Sequence, residues 1–178
     1  MADRQEGRRA SYARAIFESV SALDDLETET RAASPVGFAE MYRIATDPHY
    51  APSPTFQSAL ESDDAFRRNF QQLLDKVSLT RLPAVAAASS APLDHREADG
   101  WRVDLRASAA DPAQVYVIIE RSDSTTETPA TIMAETASGS LEKVPLPAPD
   151  GGVIQILLEA DAAIVTALRD VDAVVYLR

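Results

Sequence analysis

Residues Gln114 to Arg121 read Gln-Val-Tyr-Val-Ile-Ile-Glu-Arg, and their centre, Val115 to Ile119, is an unbroken run of β-branched and aromatic side chains. The run is too short for a buried helix, and its composition suits an extended strand. Neither of its faces tolerates water well. The pattern therefore predicts a strand covered on both sides, with the rest of the C-terminal half arranged as its partners.

Around this run the hydrophobic rhythm changes near residue 100. Trp101, Val103, Leu105 and Ala107 alternate with Arg102, Asp104, Arg106 and Ser108, the twofold period of a strand with one buried and one wet face. Asp111-Pro112 is a turn into the central run. Further strands are expected at Thr131–Glu135, at Leu141–Leu146, where Pro145 marks an edge or an end, and at Val153–Leu158 after the turn Pro149-Asp150-Gly151-Gly152. Ile164, Val165, Ala167 and Leu168 would serve a short helix or a strand. The turn-like Arg169-Asp170-Val171-Asp172 before Val174–Leu177 tips the reading toward a terminal hairpin. About seven closely spaced strands suggest a β-sandwich over residues 100–178, with an immunoglobulin-like topology as the leading expectation but without the antibody cysteines.

The N-terminal half reads as helices. Tyr12, Ile16, Val20, Leu23 and Leu26 recur at steps of four and three and form one apolar face, opposite Arg14, Glu18, Asp25 and Glu29. Such a face packs on its own domain or docks on a partner. Ser34-Pro35 and Ser53-Pro54 are helix starts, since serine caps free amides and proline loses nothing at the first helical position. The first should carry Phe38, Met41, Tyr42 and Ala45 inward, and the second Phe56 and Leu60. A further helix after Ser62 or Asp63 lines up Phe66, Phe70, Leu73, Leu74 and Val77. The fold class expected is α+β: a small helical bundle over 1–81, a linker over 82–99 containing Pro83, Ala86 to Ala88, Ser89-Ser90 and Pro92, and the β-sandwich over 100–178.

Composition narrows function by exclusion. The chain has no cysteine, so it has no disulfide framework, thiolate nucleophile or cysteine-based metal site. Residues 1–90 carry 13 acidic and 10 basic side chains, and residues 91–178 carry 15 and 7, so the β half is the more acidic and a poor match for phosphate backbones. The acidity serves solubility or meets a basic protein partner. Neither a leader-like apolar core at Met1–Ala10 nor a membrane-length apolar stretch is present, so a soluble, cytoplasmic protein is expected.

No phosphate-cradling glycine loop and no Gly-x-Ser-x-Gly elbow occurs. The two histidines, His49 and His95, sit in separate polar stretches without zinc-site spacing. The pairs Asp24-Asp25 and Asp63-Asp64 read as helix surface and helix start rather than as an acid–base couple. Trp101 falls in the alternating pattern, which favours the core over a ligand platform. No catalytic, cofactor-binding or metal-binding residue is therefore assigned.

From Asp63-Asp64-Ala65-Phe66-Arg67-Arg68 through Leu73-Leu74 to Leu82-Pro83 and Ala86-Ala87-Ala88-Ser89-Ser90, the order of parts resembles the anti-sigma-type accessory proteins that regulate bacterial sigma factors. The zinc-binding histidine and paired cysteines of many such heads are absent here, as is a membrane span. The resemblance implies a head that grips a partner protein and a β-domain that senses or tethers.

The expectation is a non-enzymatic adaptor or regulator in transcription or stress signalling. It would bind a sigma factor or another signalling protein through Tyr12, Ile16, Val20 and Leu23, or through Phe66, Phe70 and Leu74. Nucleic acid and membrane are not expected as partners. A self-assembling component of a larger complex is the alternative. An enzyme would instead require a pocket gathering His49 or His95 with carboxylates.

Overall fold

A computed structural model of the chain describes residues 36–84, 93–122 and 127–178. In chain order these form α1 (Phe38–Thr46), α2 (Pro54–Ser62), α3 (Asp64–Val77), β1 (Thr80–Leu82), β2 (His95–Ala98), β3 (Trp101–Ala107), β4 (Gln114–Arg121), β5 (Thr131–Glu135), β6 (Leu141–Pro145), β7 (Ile154–Glu159), α4 (Ala163–Arg169) and β8 (Val174–Leu177). The class is mixed α+β, with two antiparallel sheets.

Local chemistry sets the helix starts. Ser53 Oγ accepts the Phe56 amide at 3.1 Å, with Pro54 in the first turn of α2. Asp63 Oδ1 accepts the amides of Ala65 and Phe66 at 2.9 and 3.0 Å and opens α3. α1 starts after Gly37, beyond the expected Ser34-Pro35, which lies outside the described residues, as does the helical pattern at 11–31. Its inward residues are Met41, Ile44 and Ala45, whereas Tyr42, expected inward, faces out.

One sheet has strand order β1-β8-β5-β6 and the other β2-β3-β4-β7. Leu82, Ile132, Ala134, Val175 and Leu177 of the first pack against Trp101, Val103, Leu105, Val115, Val117 and Ile119 of the second, with α4 closing the same apolar layer. The opposite face of the first sheet, carrying Met133, Leu141 and Tyr176, is covered by α1, α2 and α3. The order of layers is thus helices, first sheet, second sheet.

Three expectations are corrected by this arrangement. The strand buried on both faces is β5, all of whose residues are buried, because it lies between the helical layer and the second sheet. In β4, Val115, Val117 and Ile119 point inward while Tyr116 and Ile118 are only half-buried. Second, the stretch 82–99 expected as a linker contains the end of β1 and all of β2. Asp99 and Gly100, with φ of 50° and 77°, form the two-residue turn joining β2 to β3, a conformation that Asp-Gly adopts at low cost. Third, Ala163–Arg169 is helix, so the C-terminus is no hairpin, and β8 inserts between β1 and β5.

Candidate functional site

Of the residues expected to hold a partner, Tyr12, Ile16, Val20 and Leu23 lie outside the described residues. Phe66, Phe70 and Leu74 do come together on one face of α3, as their spacing predicts, but that face is spent inside the chain. All three are buried with Met133, Leu141 and Tyr176 of the first sheet. Phe56 of α2 meets Phe66 and Phe70 edge to face, with ring centroids 5.4 and 4.9 Å away. A partner could reach these rings only if α3 left the sheet.

The helix–sheet interface also holds polar side chains. Glu135 of β5 is 2% exposed, and its carboxylate accepts from Gln71 Nε2 of α3 at 2.8 Å. Burial pushes the Glu135 carboxyl above its ordinary value, a shift that the Gln71 hydrogen bond and the more distant guanidinium groups of Arg67 and Arg81 oppose. Burial, reinforced by the Glu135 and Asp75 carboxylates, likewise holds the Tyr176 phenol up at about 12. Lys143 of β6 reaches under α1 and donates to the carbonyls of Ile44, Asp47 and Tyr50 at 2.6, 2.6 and 3.1 Å. Arg67 of α3 donates to the carbonyls of Leu60 and Glu61 at 2.7 and 3.1 Å, at the end of α2. Groups tied to backbone in this way fasten layers together.

The outward side of α1 is different. Tyr42 is 44% exposed, one of two large hydrophobic side chains so open among the described residues. Its ring lies 6.1 Å from that of Phe38, one turn earlier, and the Arg43 guanidinium stands 4.2 Å over the ring of Tyr50. An open tyrosine beside a stacked arginine is the residue chemistry enriched where protein surfaces bind one another. In sequence this group follows residues 1–35, which carry the other predicted anchors and lie outside the described residues. The stripe pattern that assigned Tyr42 to the core missed it; the signal lay in Tyr42-Arg43 together, since a charged neighbour places that side of the helix at the surface.

The histidines are not assembled into a site. His49 is exposed and its backbone amide donates to Asp47 Oδ1 at 3.0 Å, while His95 is exposed on edge strand β2, in register with Asp104. Among the described residues no group of three or more histidine, aspartate or glutamate side chains is placed to hold a metal ion, and no helix is long and apolar enough to cross a membrane. No protein-family model, curated protein or solved structure matches the chain.

Proposed function

We propose that this protein is a non-enzymatic adaptor or regulator that binds another protein through its N-terminal helical face, with Tyr12, Ile16, Val20 and Leu23 as anchors and the open side of α1 as a continuation of that surface. The observation that carries the reading is Tyr42, exposed beside Phe38 with Arg43 stacked on Tyr50, immediately after the predicted amphipathic stretch. The anti-sigma-type likeness of the order of parts fits the same role, and a sigma factor or a signalling protein is the class of partner it suggests. Two face-to-face antiparallel sheets support the sandwich part of the architecture, which would tether or sense.

Capture of partners from the native cell with the full chain, followed by identification, tests the reading. Ile16→Asp combined with Val20→Asp should abolish recovery of the partner, and Tyr42→Ala should weaken it by about tenfold, a loss of ~1.4 kcal/mol. Circular dichroism should be unchanged for Tyr42→Ala and should retain the β signal in the double variant. Equal recovery with all three proteins would dispose of the proposal.

A further inference from the structure

The ends of the two sheets are treated unequally. On edge strand β6, the backbone amide and carbonyl of Leu141 are taken by the side-chain amide of Gln57 at 3.2 and 2.8 Å, Pro145 has no N–H to offer, and Lys143 is drawn under α1. The edges at β1 and β2 are only three and four residues long, and Arg96 of β2 donates to the Pro83 carbonyl just after β1 at 3.4 Å. Strand β7 is blocked only at its end, where the Ala162 amide binds the Glu159 carbonyl at 3.0 Å. It runs six residues, Ile154–Glu159, and among the described residues it pairs only with β4.

The direction of its backbone groups follows from the ladder. The Ala160 amide donates to the Ala113 carbonyl at 2.7 Å, and in an antiparallel pair the bonded residues alternate. With Gln114 opposite Glu159 and Val115 opposite Leu158, the amides and carbonyls of Ile154, Ile156 and Leu158 turn toward β4. Those of Gln155, Leu157 and Glu159 turn outward, and all three residues are exposed, Leu157 at 44%.

We infer that β7 pairs antiparallel with β7 of a second copy of this chain about a twofold axis at Leu157, joining the two second sheets into one. In that register each outward-turned residue meets another: Leu157 faces Leu157 of the second copy, and Gln155 faces Glu159. The Leu157 amide and carbonyl bond their counterparts, and the Glu159 amide donates to the Gln155 carbonyl. The Gln155 amide shares the Glu159 carbonyl with the Ala162 amide that already binds it at 3.0 Å.

Side chains agree with this backbone pattern. The Gln155 amide lies opposite the Glu159 carboxylate twice over. Leu157, in register with Tyr116 on β4, completes an apolar row on the outer face, and Ile156 meets Leu158 on the inner. A slip of two residues toward the start of the strand would set Gln155 against Leu157 and ask for the Val153 backbone, which is already bonded to Asp150 at 2.8 and 3.0 Å. A slip the other way sets Leu157 against Glu159. Of these three registers, only the one centred on Leu157 sets amide against carboxylate and leucine against leucine, and that match of the strand with itself commits the edge to a second copy. Pairing is independent of the adaptor reading, since it leaves the open side of α1 untouched.

Sedimentation velocity of the full chain over ~5 μM to ~1 mM, the window in which small interfaces associate, should show a reversible monomer–dimer equilibrium. Gln155→Glu puts like charges opposite one another and should weaken the dimer at least ~10-fold, less so in high salt. Adding Glu159→Lys to that variant should restore it, a recovery that misfolding could not mimic. Leu157→Lys should leave monomer, and the Leu157 amide should resist hydrogen exchange only where dimer is populated. A wild-type chain that stays monomeric up to ~1 mM overturns the inference, as does self-association indifferent to Gln155→Glu and Leu157→Lys. Leu157 protection that does not vary with concentration would also overturn it, since the edge would then be covered by the chain's own residues.

Discussion

Glu135 is the residue whose surroundings conflict most with its chemistry. Only one bond to its carboxylate, from Gln71 at 2.8 Å, offsets burial between α3 and the first sheet, and the acid is held above its ordinary range. The folded chain therefore binds this proton more readily than the unfolded chain does. The stabilising contribution is complete below the unfolded value, near 4.5, and is lost as pH rises through the higher folded value. Glu135→Gln keeps the shape and the acceptor for Gln71 and removes the titration. It should raise the thermal midpoint at pH 7, with the gain shrinking as pH falls toward ~4. Thermal melts of the two proteins across that range check this, and a variant less stable at pH 7 would show that the carboxylate is better compensated than its neighbours indicate.

Elements are held in place here by cations aimed at helix ends. Lys143 serves α1, Arg67 serves α2, and Arg96, only 3% exposed, serves α4 by donating to Leu168 O and Ala173 O at 2.9 Å each and to Asp170 O. Each crosses from another element, so none is visible as a local helix signal. This is why the terminal helix was unreadable: Ile164, Val165, Ala167 and Leu168 suit either state, and the group that selects helix, Arg96, stands far away in sequence in a stretch that resembles a linker. Strand β2 itself could have been found from Asp99-Gly100, a hairpin dipeptide between two runs of alternating polarity. The starts at Ser53 and Asp63 and the strands at Thr131 and Leu141 were legible because their cause is local. Replacing Arg96 with Met strands the Leu168 and Ala173 carbonyls inside the layer and should cost ~3 kcal/mol. Lysine at the same place should recover only part, since a single ammonium cannot span the same carbonyls. Urea unfolding midpoints of the three proteins measure both effects, and an Arg96→Met midpoint within error of the parent would mean that α4 is held by its apolar contacts alone.

At the scale of the whole chain, the helices and the two packed sheets are either separable bodies or one. Helix gives way to strand at Thr80, ahead of the change of rhythm near residue 100, and the run at Val115 to Ile119 is not the middle of the fold. The strand enclosed on both sides is β5, whose Thr131 and Glu135 hide it from a hydrophobicity scan, while β4 shows a half-open face, beside which Arg102 of the neighbouring β3 binds the Asp104 carboxylate at 2.9 Å. The first sheet needs both neighbouring layers. Met133, Leu141 and Tyr176 are buried only because α1 to α3 cover them, and β1, from ahead of residue 100, supplies the outer partner of β8. A fragment of residues 100–178 would bare that face and lose β1, β2 and the Arg96 anchor. It should therefore be a loosely packed, dye-binding state without a cooperative transition. The full chain should unfold once, with the fluorescence of Trp101, its one tryptophan and a member of the inter-sheet layer, following the same curve as helical circular dichroism. Two separated transitions, together with cooperative melting of the fragment, would instead make the two-sheet part a domain in its own right and leave the helices free to open toward a partner.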